Sequence, residues 1–115
     1  MPRPPRADEA GGLYHALNRG NSRAKIFHND ADYEAFERIL GEGLELYDVR
    51  LFAYQLMPNH WHFVLYPKND GDLSKFMKWL TLTHTQQHHA KKDTIGQGHI
   101  YQGRYKSFLV SKDQY

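Results

Sequence analysis

An α+β domain with a ferredoxin-like β-α-β-β-α-β order is what this sequence predicts. Three observations carry that expectation. The run Gln55-Leu-Met-Pro-Asn-His-Trp-His-Phe-Val-Leu-Tyr66 contains two apolar, aromatic stretches separated by Pro58-Asn59, the pattern of a β-hairpin. Two amphipathic segments with helical spacing bracket that hairpin, one before it and one after. Short strand candidates lie outside each helix, at the start and at the end of the chain. One helix in each crossover gives a split βαβ arrangement, an antiparallel sheet with both helices on one face and the other face free for a site.

The elements follow in chain order. Residues 1–12, Met-Pro-Arg-Pro-Pro-Arg-Ala-Asp-Glu-Ala-Gly-Gly, read as a flexible leader because Pro and Gly oppose regular structure. Residues 13–115 read as one domain. Leu13 to Asn18 is the first strand, and Arg19-Gly-Asn-Ser-Arg23 is a loop with Gly20 and Asn21 as turn residues. Asn29 or Asp30 can cap a helix from Ala31 to Tyr47, in which Phe36, Ile39, Leu40, Leu44 and Tyr47 share a face. Val49 to Met57 is the second strand and His60 to Tyr66 the third. A second helix runs from Leu73 to His89 through Leu73, Phe76, Met77 and Leu80, with Asp72 as its N-cap. Residues 91–98 form a loop, and Arg104 to Val110 is the last strand. Ser111 is placed to cap a final helix that has hardly begun at Tyr115.

Composition sets outer bounds. A chain of 115 residues with 40% hydrophobic and 24% charged residues suits one globular domain with a single core. With no cysteine there is no disulfide, thiol nucleophile or thiolate zinc site, which fits a reducing compartment such as the cytoplasm. No apolar run reaches the length of a membrane span. The net charge of +2 is unevenly spread. Seven acids face one base between His28 and Asp48, whereas seven bases face one acid between Leu73 and Lys112. Arg19, Arg23 and Lys25 add a second basic group. This asymmetry suggests one polyanion-facing side and one solvated acidic side.

His60 and His62 are the most informative residues. Side chains alternate along a strand, so both imidazoles face one way and Trp61 the other. Two imidazoles one residue apart can share a divalent cation, although a pair of half-exposed histidines on a sheet would look the same. Tyr115 just follows a helix start, from which it can be presented to the open sheet face or simply pack on the core. The stretch Gly98-His-Ile-Tyr-Gln-Gly-Arg-Tyr-Lys-Ser107 offers Arg104 and Lys106 to phosphates and Tyr101 and Tyr105 to bases. Asn18-Arg19-Gly20-Asn21 offers donors to a phosphate or an unpaired base. His84 and His88 lie on one helix face, read here as a solvated or nucleic-acid-facing surface. A P-loop, a Gly-x-Gly-x-x-Gly fingerprint and a nucleophilic-serine elbow are all missing.

Three segments taken together, Tyr14-His-Ala-Leu-Asn-Arg-Gly-Asn21, Leu56-Met-Pro-Asn-His-Trp-His-Phe63 and Gly98-His-Ile-Tyr-Gln-Gly-Arg-Tyr-Lys106, resemble the single-tyrosine HUH transposases of the IS200/IS605 type, above all the REP-associated tyrosine transposases. The resemblance implies a ferredoxin-like nuclease domain acting on single-stranded DNA, hairpin or repeat-derived. It implies that His60 and His62 hold a divalent metal, Mg²⁺ or Mn²⁺, and that Tyr115 is the nucleophile. Family members usually complete the site with a polar side chain one helical turn after the tyrosine, and this sequence stops short of it. Monomeric and dimeric members both exist, so a homodimer stays open. The implied reaction is metal-assisted transesterification through a 5′-phosphotyrosine, with Asn18, Arg19, Arg23, Tyr101, Arg104, Tyr105 and Lys106 on the DNA. Two alternatives stand beside it. One is a non-catalytic RNA-recognition-like module stacking bases on Phe52 and Tyr54. The other is a metal-dependent phosphoesterase that uses water and needs no Tyr115.

Overall fold

A computed structural model describes residues 8–92 and 99–112. Among these residues, four strands and two α-helices follow one another as β1 (Gly12–Arg19), α1 (Asp30–Leu46), β2 (Val49–Met57), β3 (His60–Pro67), α2 (Asp72–Lys92) and β4 (Lys106–Lys112). The strands form one sheet in the order β2-β3-β1-β4, each antiparallel to its neighbours. The predicted α+β, ferredoxin-like β-α-β-β-α-β arrangement is therefore the observed one.

Period-two alternation sets the two faces. On β3, Trp61, Phe63 and Leu65 are fully buried, while His60, His62, Val64 and Tyr66 are half-buried on the opposite face. β1 repeats this pattern with Tyr14 and Ala16 buried and His15 and Leu17 beside the histidines. The buried face meets Phe36, Ile39 and Leu40 of α1 and Leu73, Phe76, Met77 and Leu80 of α2. Burying side chains of this size contributes about 1.5–3 kcal/mol each against solvent exposure. The helices cross closely because α1 carries Gly43, where a Cβ would stand 2.9 Å from Phe76 Cε1.

Helix starts are capped in two ways. Asn29 caps α1, its side chain accepting from the Asp32 amide at 3.0 Å, and Asp32 Oδ2 accepts from the His28 amide at 2.8 Å. α2 departs from expectation. The Leu73 and Ser74 amides donate to Asp8 Oδ1 and Oδ2 at 3.0 and 2.8 Å, so Asp8 supplies the cap. Asp72 instead accepts from the amide and side chain of Asn69. A carboxylate 65 residues away in sequence can satisfy helix amides as well as a local one, and sequence spacing cannot reveal it. Residues 1–7 of the expected leader lie outside the described residues. Residues 8–11 are tied down, with the Ala10 amide on Asp70 Oδ1 and the Glu9 amide on the Tyr14 hydroxyl.

The C-terminal expectation also changes. Ser111 and Lys112 continue β4, opposite Leu13 and Gly12, so Ser111 is a strand residue and not a helix cap. β4 begins at Lys106, later than expected, because residues 101–105 stay in a loop bridged to the end of β1 through Gly20 and Tyr101.

Gly20 holds this junction. Its amide donates to the Asn59 carbonyl at 2.8 Å, and a Cβ on it would lie 2.1 Å from the Ala24 carbonyl oxygen. Replacing Gly20 with alanine is expected to destabilise the protein by on the order of 1–3 kcal/mol, because backbone must move to relieve the overlap. A urea melt of the variant beside the parent checks this, and an unchanged midpoint would refute it.

Candidate nucleic-acid cleavage site

The three sequence segments converge at one end of the sheet. Arg19 at the end of β1 stands opposite His60 at the start of β3, and Leu17 stands opposite both His62 and Lys106. The Gln102 amide donates to the Arg19 carbonyl at 3.0 Å, and the Asn21 amide to the Ile100 carbonyl at 2.9 Å. The Pro58 carbonyl accepts from the Ile26 and Phe27 amides at 2.7 and 3.1 Å. The turn before His60 is therefore braced by the loop after β1, which in turn is braced by residues 100–102.

His60 and His62 lie side by side on the open sheet face, ring centroids 5.0 Å apart. Each imidazole has a partner at Nδ1. Asn59 Oδ1 lies 2.7 Å from His60 Nδ1, and His15 Nε2 lies 2.9 Å from His62 Nδ1. The rings open onto a cleft of about 380 Å³ lined by Leu17, Arg19, Arg23, Asn59, His60 and His62. Burial lowers the His62 pKa, and the neighbouring His60 and His15 lower it further, so its neutral, metal-competent form dominates at neutral pH. Neutral imidazole is the ligand form.

These residues fit a divalent cation in a limited way. Two imidazoles facing one cleft are a reasonable donor pair, and the remaining positions suit phosphate oxygen and water. Among the described residues no group of three His, Cys, Asp or Glu side chains is arranged to hold a metal. His15 is no third ligand in this arrangement, since its Nε2 turns to His62.

The other predicted site residues separate into two sets. Arg19, Arg23, Arg104 and Lys106 are exposed. A second cleft of about 280 Å³, lined by Leu17, Asn18, Arg19, Gln102, Gly103, Arg104 and Lys106, shares Leu17 and Arg19 with the first. The two clefts form a cationic track with no acidic side chain on its lining among the described residues. Arg23 enters it from a single 3₁₀ turn (Asn21–Arg23) in which Ser22 and Arg23 both take the left-handed conformation, at φ 54° and 62°. Such φ values are unusual for residues with a Cβ and mark a segment held by its surroundings.

Asn18, Tyr101 and Tyr105 belong to the second set, which the fold buries. Asn18 is buried. Its Nδ2 donates to the Gly103 carbonyl at 3.1 Å and its Oδ1 accepts from the Arg19 amide at 2.9 Å. Tyr101 and Tyr105 are buried as well, so neither ring is offered to a base. Tyr101 is the hub of a buried network. Its hydroxyl accepts from Trp61 Nε1 at 2.9 Å and donates to His84 Nδ1 at 2.6 Å. Burial pushes the Tyr101 phenol well above its ordinary pKa, against a smaller opposing effect of the Trp61 hydrogen bond. Tyr105 shares a hydrogen bond of 3.1 Å with Ser74 Oγ at the start of α2. His84 is correspondingly no solvated helix face. It is buried among Phe27, Phe36 and Tyr101.

Of the aromatics suited to base stacking, Phe52 is exposed on the open face over Tyr66. Tyr54 is turned toward α1, its hydroxyl donating to Glu37 Oε2 at 2.6 Å. Sequence reasoning missed Asn59 and His15. Adjacency of Asn59 to His60 was visible in the sequence, whereas the approach of His15 depends on the β1–β3 register. Tyr115 lies outside the described residues.

Among the described residues no helix is long and apolar enough to cross a membrane. No curated protein matches the chain. Among solved structures, a REP-associated tyrosine transposase bound to a REP hairpin matches with a TM-score of 0.75 at 17% identity, over 99% of this chain and 65% of that one. This chain thus spans about 65% of that protein's length. A candidate transposase from Deinococcus radiodurans R1 matches with a TM-score of 0.72 at 18% identity, over 95% of this chain and 86% of that one. At these identities the two likenesses speak for the fold. A family model described as "Transposase IS200 like" matches residues 10–115, and with that match covering nearly the whole sequence, the chain belongs to the IS200-like transposase family.

Proposed function

We propose that the protein binds single-stranded DNA, hairpin or repeat-derived, and cleaves and rejoins it by metal-assisted transesterification. The observation that carries this reading is the His60–His62 pair opening on a cleft that Arg19 and Arg23 also line. Family membership supports a DNA-transposing activity, and the hairpin bound to the REP-associated relative supports the class of partner.

His60 and His62 would hold Mg²⁺ or Mn²⁺. Magnesium favours oxygen ligands, so the imidazole pair leans toward Mn²⁺. Bound there, the cation would polarise the scissile phosphate and offset its developing charge. Arg19 and Arg23 would hold the phosphates beside the histidines, and Arg104 and Lys106 the strand as it continues along the second cleft. These contacts position the backbone without reading sequence. Tyr101 and Tyr105 would act through the loop that carries Arg104, and Asn18 would both hold that loop and line the second cleft.

Tyr115 is the proposed nucleophile. Its phenolate oxygen forms a bond to phosphorus, the bond to the 3′ oxygen breaks, and the departing oxygen takes a proton. The products are a 5′-phosphotyrosine and a free 3′-hydroxyl. Attack by another 3′-hydroxyl reverses the step and joins strands. One phosphodiester is exchanged for another, so the chemistry asks for no nucleotide cofactor.

Incubation with 3′-labelled single-stranded hairpin DNA and Mn²⁺ tests this reading on denaturing gels. The expected product is a labelled covalent adduct, because the protein keeps the 5′-phosphate of the labelled fragment. Tyr115→Phe is expected to remove the adduct completely. Metal-dependent cleavage by Tyr115→Phe to a free 5′-phosphate would replace strand transfer with hydrolysis by water. Tight strand binding with no cleavage by the parent protein would favour the binding module.

A further inference from the structure

The structure assigns Asn59 and His15 as the positioning residues that fix the tautomers of His60 and His62, so that both present an unprotonated Nε2 to the cleft. This rests on the metal reading above but concerns atoms already in place without a metal. A neutral imidazole carries one proton on one nitrogen, and the hydrogen bond made by one nitrogen decides the role of the other.

Asn59 presents its amide oxygen, which can only accept, at 2.7 Å from His60 Nδ1. The proton of neutral His60 therefore sits on Nδ1, and Nε2 keeps its lone pair. Asn59 is itself held, since its carbonyl accepts from the Gly20 amide at 2.8 Å. The sequence order Asn-His places acceptor and ring side by side, and the bracing of the turn by residues 20–27 keeps them there.

His62 also has its Nδ1 engaged, by a residue from another strand. His15 Nε2 lies 2.9 Å from His62 Nδ1, with the rings stacked at a centroid distance of 5.1 Å and an angle of 23°. A bond of this kind needs one donor and one acceptor. If His15 accepts, His62 carries its proton on Nδ1 and frees Nε2, matching His60. If His15 donates, His62 is protonated on Nε2 and cannot be a ligand through that atom. The 2.9 Å contact admits both arrangements, and the metal reading on which this proposal rests selects the first. His15 then carries its own proton on Nδ1, with its ring beside Phe108 on β4. Outer partners of metal-bound histidines orient the ring and raise its basicity, and losing one typically weakens metal binding about 10–100-fold.

The test is nitrogen NMR of the imidazoles in metal-free full-length protein, at a pH where all histidines are neutral, followed by Mn²⁺ titration. Both His60 and His62 are expected to show Nδ1–H with unprotonated Nε2. Asn59→Leu should release His60, and His15→Phe should release His62, toward the Nε2–H form that free histidine prefers. Each should weaken Mn²⁺ binding about 10–100-fold. Asn59→Asp and His15→Gln keep an acceptor and should retain the parent tautomers, which separates positioning from a general loss of structure. An Nε2–H form of either histidine in the parent would overturn the assignment. So would parent-like tautomers and affinity in Asn59→Leu and His15→Phe. Parent tautomers as stated with no Mn²⁺ binding would uphold the assignment and sink the metal reading instead.

Discussion

Replacing His60 and His62 together by alanine is expected to abolish Mn²⁺ binding and strand cleavage while leaving the fold and strand binding in place. Both rings lie half-buried on the open sheet face, so their loss removes no core packing. Trp61 between them points into the core, where it is fully buried and stacks on Phe63 at 4.4 Å. The strand would therefore survive the change. Losing one oxyanion-stabilising donor typically lowers a rate by about 10²–10³-fold. Losing the whole cation should lower cleavage by on the order of 10³-fold or more. Strand affinity should change little, because Arg19, Arg23, Arg104 and Lys106 would carry the phosphate contacts and its salt dependence. Calorimetric titration with Mn²⁺, single-turnover cleavage and fluorescence anisotropy with a labelled hairpin separate the three effects. Cleavage within tenfold of the parent would remove the histidines from the reaction. Normal cleavage with lost strand binding would make them DNA contacts only.

Much of this site was legible because its signal is local. The period of two along a strand puts His60 and His62 on one face and Trp61 on the other without knowledge of any other segment. Helix α1 and the hairpin were legible for the same reason. What was not legible has the opposite cause. Asn18, Tyr101 and Tyr105 look like nucleic-acid contacts in a glycine-rich, basic context. In the fold they hydrogen-bond to Gly103, the Trp61–His84 pair and Ser74, contacts set by the way β1, α2 and the 99–105 loop meet. A tyrosine that stacks on a base and a tyrosine that carries a buried hydrogen-bond network have the same sequence signature. Asp8 is a similar case, a helix cap supplied from outside the helix's own neighbourhood. Arg19, Arg23, Arg104 and Lys106 kept their predicted exposure because long cations rarely bury their heads unpaired.

The buried network behind the histidines should make the protein acid-sensitive through one residue. Burial lowers the His84 pKa to about 3, with nearby His88 lowering it further and Asp32 opposing. Its Nδ1 must stay unprotonated to accept from Tyr101, which a raised phenol pKa keeps available as a donor. The unfolded chain binds a proton at this histidine near pH 6.5, whereas the folded protein does not until about pH 3. Between those values the unfolded state holds more protons, so stability falls as pH falls, by about 1.4 kcal/mol per pH unit. The contribution is fully present above about pH 6.5 and amounts to a loss on the order of 4 kcal/mol by pH 3.5. His84→Gln retains an acceptor for the Tyr101 hydroxyl and has no proton to gain. Urea melts of parent and variant from pH 8 to pH 4 should therefore diverge, the parent losing stability faster by that slope, with the other titrating groups common to both. Parallel pH profiles would mean that folded His84 takes up its proton as readily as the unfolded chain, and the buried link from Trp61 through Tyr101 would then not be what clamps the 99–105 loop against the back of the histidine strand.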